Sequence, residues 1–248
     1  MDTNIYAFML PLIAGLSTMI GTILIFFKFK NTNKIILSSL AFATGVMITV
    51  SLTDLMPESL NLLKTYFYPF PAIIIMFIFF VVGILISMAI DKYLPSNTDR
   101  LYKVGIISML AIILHNIPEG IATFMATTSN INLGISLTLA IAFHNIPEGI
   151  SISVPIYYAT KSKSKAFIYT LISALSEPFG ALIAFIFLKQ FINNFILGIL
   201  FSMIAGIMVN ISIYELLPTS FKYKNKGLSI LFIIIGILLT FTSHLLFA

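Results

Sequence analysis

The heptapeptide His-Asn-Ile-Pro-Glu-Gly-Ile stands twice in this chain, at His115–Ile121 and at His144–Ile150, each time near the middle of a long apolar stretch. An ionisable side chain at the centre of a bilayer costs about 2.5–3.5 kcal/mol on insertion scales, so two histidines and two glutamates at that depth require a compensating partner. A divalent cation is the simplest one. Residues four apart share a helix face, which sets His115 over Glu119 and His144 over Glu148, so that each helix offers one nitrogen and one carboxylate. A lone histidine in an apolar helix is ordinarily a hydrogen-bonded core residue. Two copies of His-x-x-x-Glu on consecutive helices point instead to metal ligation. Pro118 and Pro147 carry no N–H, so they withdraw the helical donor from the carbonyls of Leu114 and Phe143, and a kink is expected at each. Gly120 and Gly149 let either another helix or a hydrated ion come close.

Other polar residues lie at similar depth. Asn116 and Asn145 either hydrogen-bond between helices or touch the metal. Glu177, followed directly by Pro178 in the sixth helix, is read as a ligand of a second metal position, against the plainer role of a proton-carrying or helix-pairing acid. Asp54 and Glu58 lie toward one end of the second helix and Glu215 toward the opposite end of the seventh. These three are either interfacial acids or waypoints at the entrance and exit of a route. Opposite neutral histidines, the carboxylates of Glu119, Glu148 and Glu177 leave one net negative charge with one divalent ion and one net positive charge with two, so two bound ions are tolerable. Imidazole with carboxylate suits Zn(II), Fe(II), Mn(II), Co(II) and Cd(II). With no cysteine in the chain, thiolate sites, disulfides and a preference for Cu(I) are excluded or disfavoured, and the imidazoles disfavour Mg(II) and Ca(II).

The elements that must hold these side chains are membrane helices. Hydrophobic residues make up 59% of the 248 positions and charged residues 9%, and mean hydropathy is +1.05, far from a soluble domain. Apolar runs of about 20 residues predict eight helices near residues 5–27, 35–62, 70–90, 103–127, 133–158, 165–188, 194–220 and 228–247. The connections are short, so residues 1–248 are expected to form one domain. No Lys or Arg precedes the first stretch, which reads as a retained helix rather than a signal peptide. The formal charge of +5 does not indicate nucleic acid, because the cations are scattered loop by loop. Lys28, Lys30, Lys34, Lys92, Arg100, Lys103, Lys161, Lys163, Lys165, Lys222, Lys224 and Lys226 fall on the odd-numbered connections, against Lys64 and Lys189 on the even ones. The positive-inside rule then puts the odd connections in the cytoplasm and both termini outside.

A second repeat pairs Gly45–Leu60 with Gly206–Phe221, sharing an acid-Leu-x-Pro-x-Ser core. Consecutive spanning helices are antiparallel, so each motif occurs once in either orientation. That is the sequence pattern of inverted repeats about an axis in the membrane plane, with a site near the midplane, and it favours transport. Two other functions compete: an intramembrane zinc metalloenzyme, although no His-Glu-x-x-His is present, and a proton-coupled carrier of an organic solute.

Eight apolar helices, His-Asn-x-Pro-Glu-Gly in both the fourth and fifth, and Glu177 in the sixth resemble the ZIP family of divalent-metal transporters across the whole chain. The His and Asn of the second motif are closer to the broad-range bacterial zinc-uptake branch. The resemblance implies an all-α integral membrane fold with three-plus-two-plus-three inverted helices, metal binding between the fourth and fifth, and residence in the bacterial inner membrane. It implies a primary site of His115, Glu119, His144 and Glu148. A neighbouring second site would use Asn116, Asn145 and Glu177, with Glu119 and Glu148 bridging. The expected activity is uptake of divalent transition metals, zinc foremost, with the metal as substrate and no cofactor required. Expected partners are membrane lipid and the metal ions; a homodimer is left open, and nucleic acid is not expected. One departure from many family members is the short Lys92–Arg100 connection, which has no histidine and so offers nothing for metal sensing.

Overall fold

The computed structural model describes residues 3–93, 99–187 and 193–247, and among them every regular element is a helix. Eight are long and apolar enough to cross a membrane: α1 Ile5–Phe26, α2 Thr32–Lys64, α3 Pro69–Lys92, α4 Arg100–Ser129, α5 Ile131–Thr160, α6 Lys163–Phe187, α7 Asn194–Phe221 and α8 Lys226–Ser243. Most begin two or three residues before the apolar runs do, because polar residues just upstream cap them. The side chains of Asn31, Asp99, Asn130, Ser162 and Asn193 each accept a backbone N–H of the first turn, as Asn225 does from Leu228. Such caps satisfy donors that otherwise lack partners at a helix start. The far end of the sixth predicted helix, at Leu188, lies outside the described residues, as does Lys189.

Interruptions of the α-helical ladder do not fall at the heptapeptide prolines. α4 and α5 run without a break through Pro118 and Pro147. Instead α2 widens into a π segment at Ser51–Leu55 and α7 into one at Ser212–Leu216. The N–H of Met56 reaches the Ser51 carbonyl and that of Leu217 reaches the Ser212 carbonyl. Both segments sit just ahead of a proline, Pro57 or Pro218, where the wider turn makes room for a ring that crowds the preceding turn. They occupy matching positions of the sequence repeat and carry its acids, Asp54 and Glu215. α1 tightens into a 3-10 helix over Thr18–Phe26, and α6 is broken by a turn at Leu175, directly before Ser176, Glu177 and Pro178.

Two groups of helices meet in the molecule. α1, α4, α5 and α6 pack on one another, while α2 packs on α8 and α3 on α7; α2 against α5 and α4 against α7 join the groups. Glycines set the close approaches, since there is little hydrophobic drive between helices in lipid and backbone proximity supplies the contact. Gly45 faces the Ile233 carbonyl and Gly206 the Phe80 carbonyl; Gly236 faces the Phe42 carbonyl and Gly83 that of Met203. Gly120 lies against the Glu177 carbonyl and Gly149 against that of Thr18. Between the two readings of those last glycines, a neighbouring helix is what approaches. The contacts pair off: α2–α8 is matched by α7–α3, and α4–α6 by α5–α1. Hydroxyls add cross-links, Ser59 donating to the Gly198 carbonyl at 2.6 Å and Ser153 to that of Gly21 at 3.1 Å, with Ser202 donating to the Met76 carbonyl. The largest buried apolar cluster gathers Ile107, Ala111, Ile112, Ile152, Met208 and Ile211 with the first half of α2.

Candidate metal site

Because α4 and α5 are antiparallel neighbours and each presents His and Glu one turn apart, the four side chains converge between them. Nε2 of His115 stands 3.1 Å from Oε1 of Glu119 and 3.4 Å from Oε1 of Glu148, and Nε2 of His144 stands 3.0 Å from Oε1 of Glu119. His115, Glu119 and His144 each present a ligand atom within 4.8 Å of the other two. Glu148 adjoins this trio through His115. Ligands about 2.0–2.2 Å from a tetrahedral zinc ion lie about 3.3–3.6 Å apart, close to these separations. His115 and Glu148 are buried, at 0% and 1% exposure, while His144 is partly open.

Hydrogen bonding leaves this cluster unfinished. His144 and Glu119 are aligned as a hydrogen-bonded pair, but the close approaches of His115 Nε2 are not hydrogen bonds, and both its ring nitrogens lack a hydrogen-bond partner. Oε2 of Glu119 and both carboxylate oxygens of Glu148 are likewise buried without hydrogen bonds. Buried groups of this kind cost free energy unless something satisfies them. A cation held among these nitrogens and oxygens would satisfy them.

The asparagines are anchored on both sides. Asn116 Nδ2 donates to the Ser173 carbonyl of α6 at 3.2 Å, and Asn145 Nδ2 donates to the Ala14 carbonyl of α1 at 2.9 Å. Their Oδ1 atoms remain without hydrogen bonds. The two alternatives for these residues are therefore compatible: the amide nitrogen ties helices together and leaves the oxygen available. Asn145 Nδ2 also donates to Oε2 of Glu177 at 2.9 Å, and Oε1 of Glu177, which is fully buried, makes no hydrogen bond. The turn at Leu175 resets α6 just before Glu177, bringing this acid into the same polar cluster.

Of the three acids expected to be either interfacial or waypoints, Asp54 and Glu58 line a cavity of about 550 Å3 together with Glu119 and His144. Thr53, Asn61 and Ser136 add polar atoms to its wall, and Thr53 donates to Asp54 at 2.8 Å. Glu215 does not line that cavity. It lies half-buried near Asp91, Lys103 and Arg100. α1 carries no ionisable side chain at the site, yet its Ala14 carbonyl orients Asn145 and its Thr18–Gly21 backbone carries Gly149. The small-residue face of Ala14, Gly15, Thr18 and Gly21 was the available signal.

The sequence model described as ZIP Zinc transporter matches residues 95–243. The zinc transporter ZupT of Oceanobacillus iheyensis is 41% identical over all of both chains. That of Clostridium perfringens is 40% identical over 100% of this chain and 98% of its own. That of Streptococcus mutans is 43% identical over 97% of each.

Proposed function

The chain belongs to the ZIP zinc transporter family, and on that premise we propose that it carries divalent transition-metal ions, zinc foremost, across the bacterial cell membrane into the cytoplasm. The observation that carries this reading is the convergence of His115, Glu119 and His144 in a helix-lined interior, with buried, unsatisfied Glu148 beside them. His115, Glu119, His144 and Glu148 form the primary site. Asn116, Asn145 and Glu177 offer oxygens for a second ion, with Glu119 and Glu148 between the two positions. Three carboxylates with neutral imidazoles leave one net negative charge with one divalent ion and one net positive charge with two, so either loading is tolerable.

Two antiparallel copies of each motif favour the inverted arrangement and a midplane site. The excess of lysines on the odd connections favours both termini outside. In that orientation the cavity at Asp54 and Glu58 opens outward and reaches the primary site, so these acids concentrate cations at the entrance, and Glu215 serves at the exit. The metal is cargo; its passage forms and breaks no covalent bond, which sets this reading apart from an intramembrane hydrolase. The test is uptake into proteoliposomes across a panel of Zn(II), Fe(II), Mn(II), Co(II) and Cd(II), with and without a pH gradient. Saturable uptake of one or more of these, abolished in His144→Ala and Glu119→Ala, is expected. Uptake unchanged in both variants overturns the reading.

A further inference from the structure

The two acids at matching positions of the repeat have different surroundings. Asp54 faces a cavity whose lining includes no lysine or arginine. Glu215 instead lies beside Asp91 of α3 and the two cations that begin α4, Arg100 and Lys103. The Lys103 ammonium stands 2.6 Å from Oδ1 of Asp91, and Arg100 Nε donates to Thr219 of α7 at 2.9 Å. Thr219 occupies the repeat position of Glu58. Ion pair and hydrogen bond thus tie the lysine-rich ends of α3, α4 and α7 to one another.

Between this knot and the His/Glu cluster the described residues pack buried apolar side chains. Ile107, Ala111 and Ile112 are buried on α4 and Ile211 and Leu216 on α7. Two hydroxyls stand in the same stretch, Ser108 on α4 and Ser212 on α7. Both are fully buried and neither makes a hydrogen bond. Ser108 lies two turns from His115 on nearly the same helix face. A hydroxyl without a partner in a packed apolar region is costly. It finds partners when water or a hydrated ion enters.

We propose that Lys103, held on Asp91 next to Glu215, is a latch that closes the lysine-rich end of the route, and that its release hydrates a path past Ser108 and Ser212. The ammonium pairs with Asp91 and neighbours Glu215, acids that a departing divalent cation would otherwise meet, so the exit is closed by a tethered cation while the opposite mouth is open. The inference rests on the transport reading for its meaning, but its geometry stands on α3, α4 and α7 alone.

The chain contains no cysteine, so one introduced thiol reports access cleanly. Ser108→Cys protein in vesicles is exposed to a membrane-impermeant maleimide on the lysine-rich face, and labelling is timed in the absence of metal. Adding Lys103→Met should speed labelling about two- to fivefold, the range that a partly exposed ion pair supports, while Lys103→Arg should keep the slow rate. Asp91→Asn should match Lys103→Met. Ser212→Cys gives the same readout from α7 where Ser108→Cys protein does not fold. Equal rates in Lys103→Met and its parent, or acceleration only from the opposite face, overturn the latch. Labelling requires no metal: acceleration as expected in a protein that shows no metal uptake would support the latch and count against the transport reading alone.

Discussion

At the residue scale, the four ligands of the proposed primary site are not equivalent. One oxygen of Glu119 approaches both histidines, at 3.1 and 3.0 Å, whereas Glu148 approaches only His115, at 3.4 Å. Glu119 is therefore the hinge of the cluster, and Glu119→Gln should weaken metal binding more than Glu148→Gln. Losses of about 100-fold and about tenfold correspond to about 2.7 and 1.4 kcal/mol. Calorimetric titration of the purified protein with zinc checks the order, and a larger loss in Glu148→Gln would reverse the assignment. Glu177 is held at one oxygen by Asn145 and open at the other, so Glu177→Gln should reduce the number of ions bound, or alter metal preference, more than it lowers first-ion affinity. Elemental analysis of metal-saturated protein decides this: an unchanged ratio and preference would remove Glu177 from the second position.

At the element scale, glycine contacts hold the helices of the candidate metal site in place. A Cβ on Gly120 would fall onto the backbone carbonyl of Glu177, and one on Gly149 onto that of Thr18. Neither carbonyl belongs to a flexible side-chain end, so the helices themselves must part. Gly120→Ala and Gly149→Ala should each destabilise the fold by about 1–3 kcal/mol, the usual cost of overpacking, and thermal unfolding in detergent reads the loss. Gly227, whose added Cβ would meet only the Asn225 side-chain oxygen at 3.9 Å, is the control and should tolerate alanine. An undiminished melting temperature in both site variants would show that the close contacts do not hold the cluster. The unbroken ladders of α4 and α5 belong to the same scale. α-Helix continues through Pro118 and Pro147, whereas the helices that carry Pro57 and Pro218 widen into π segments beside them.

Across the whole molecule, the proposed route predicts unlike defects at its two ends. Asp54 shares the open cavity with Glu119 and His144, so Asp54→Asn should raise the external metal concentration for half-maximal uptake, because a lost carboxylate lowers the local cation concentration. Glu215→Gln, at the closed end, should lower the maximal rate by slowing release. Uptake measured across external metal concentrations separates the two, and identical defects, or none, would make both acids merely interfacial. How much of this was legible beforehand follows from what each feature depends on. Helix number, the His-x-x-x-Glu pairs and the family resemblance are local properties: hydropathy runs, a period of 3.6 residues and a duplicated string, each readable without knowing which helix touches which. Several helices start two or three residues ahead of their apolar runs because capping depends on single polar side chains outside those runs. What only the tertiary structure decided is relational. It showed that Gly120 and Gly149 receive helices, that α1 orients Asn145, that Glu177 reaches the cluster past a break in α6, and that equivalent acids face an open cavity at one end and a lysine at the other. Partners distant in sequence are chosen by packing and electrostatics summed over several helices, and no single segment carries that information.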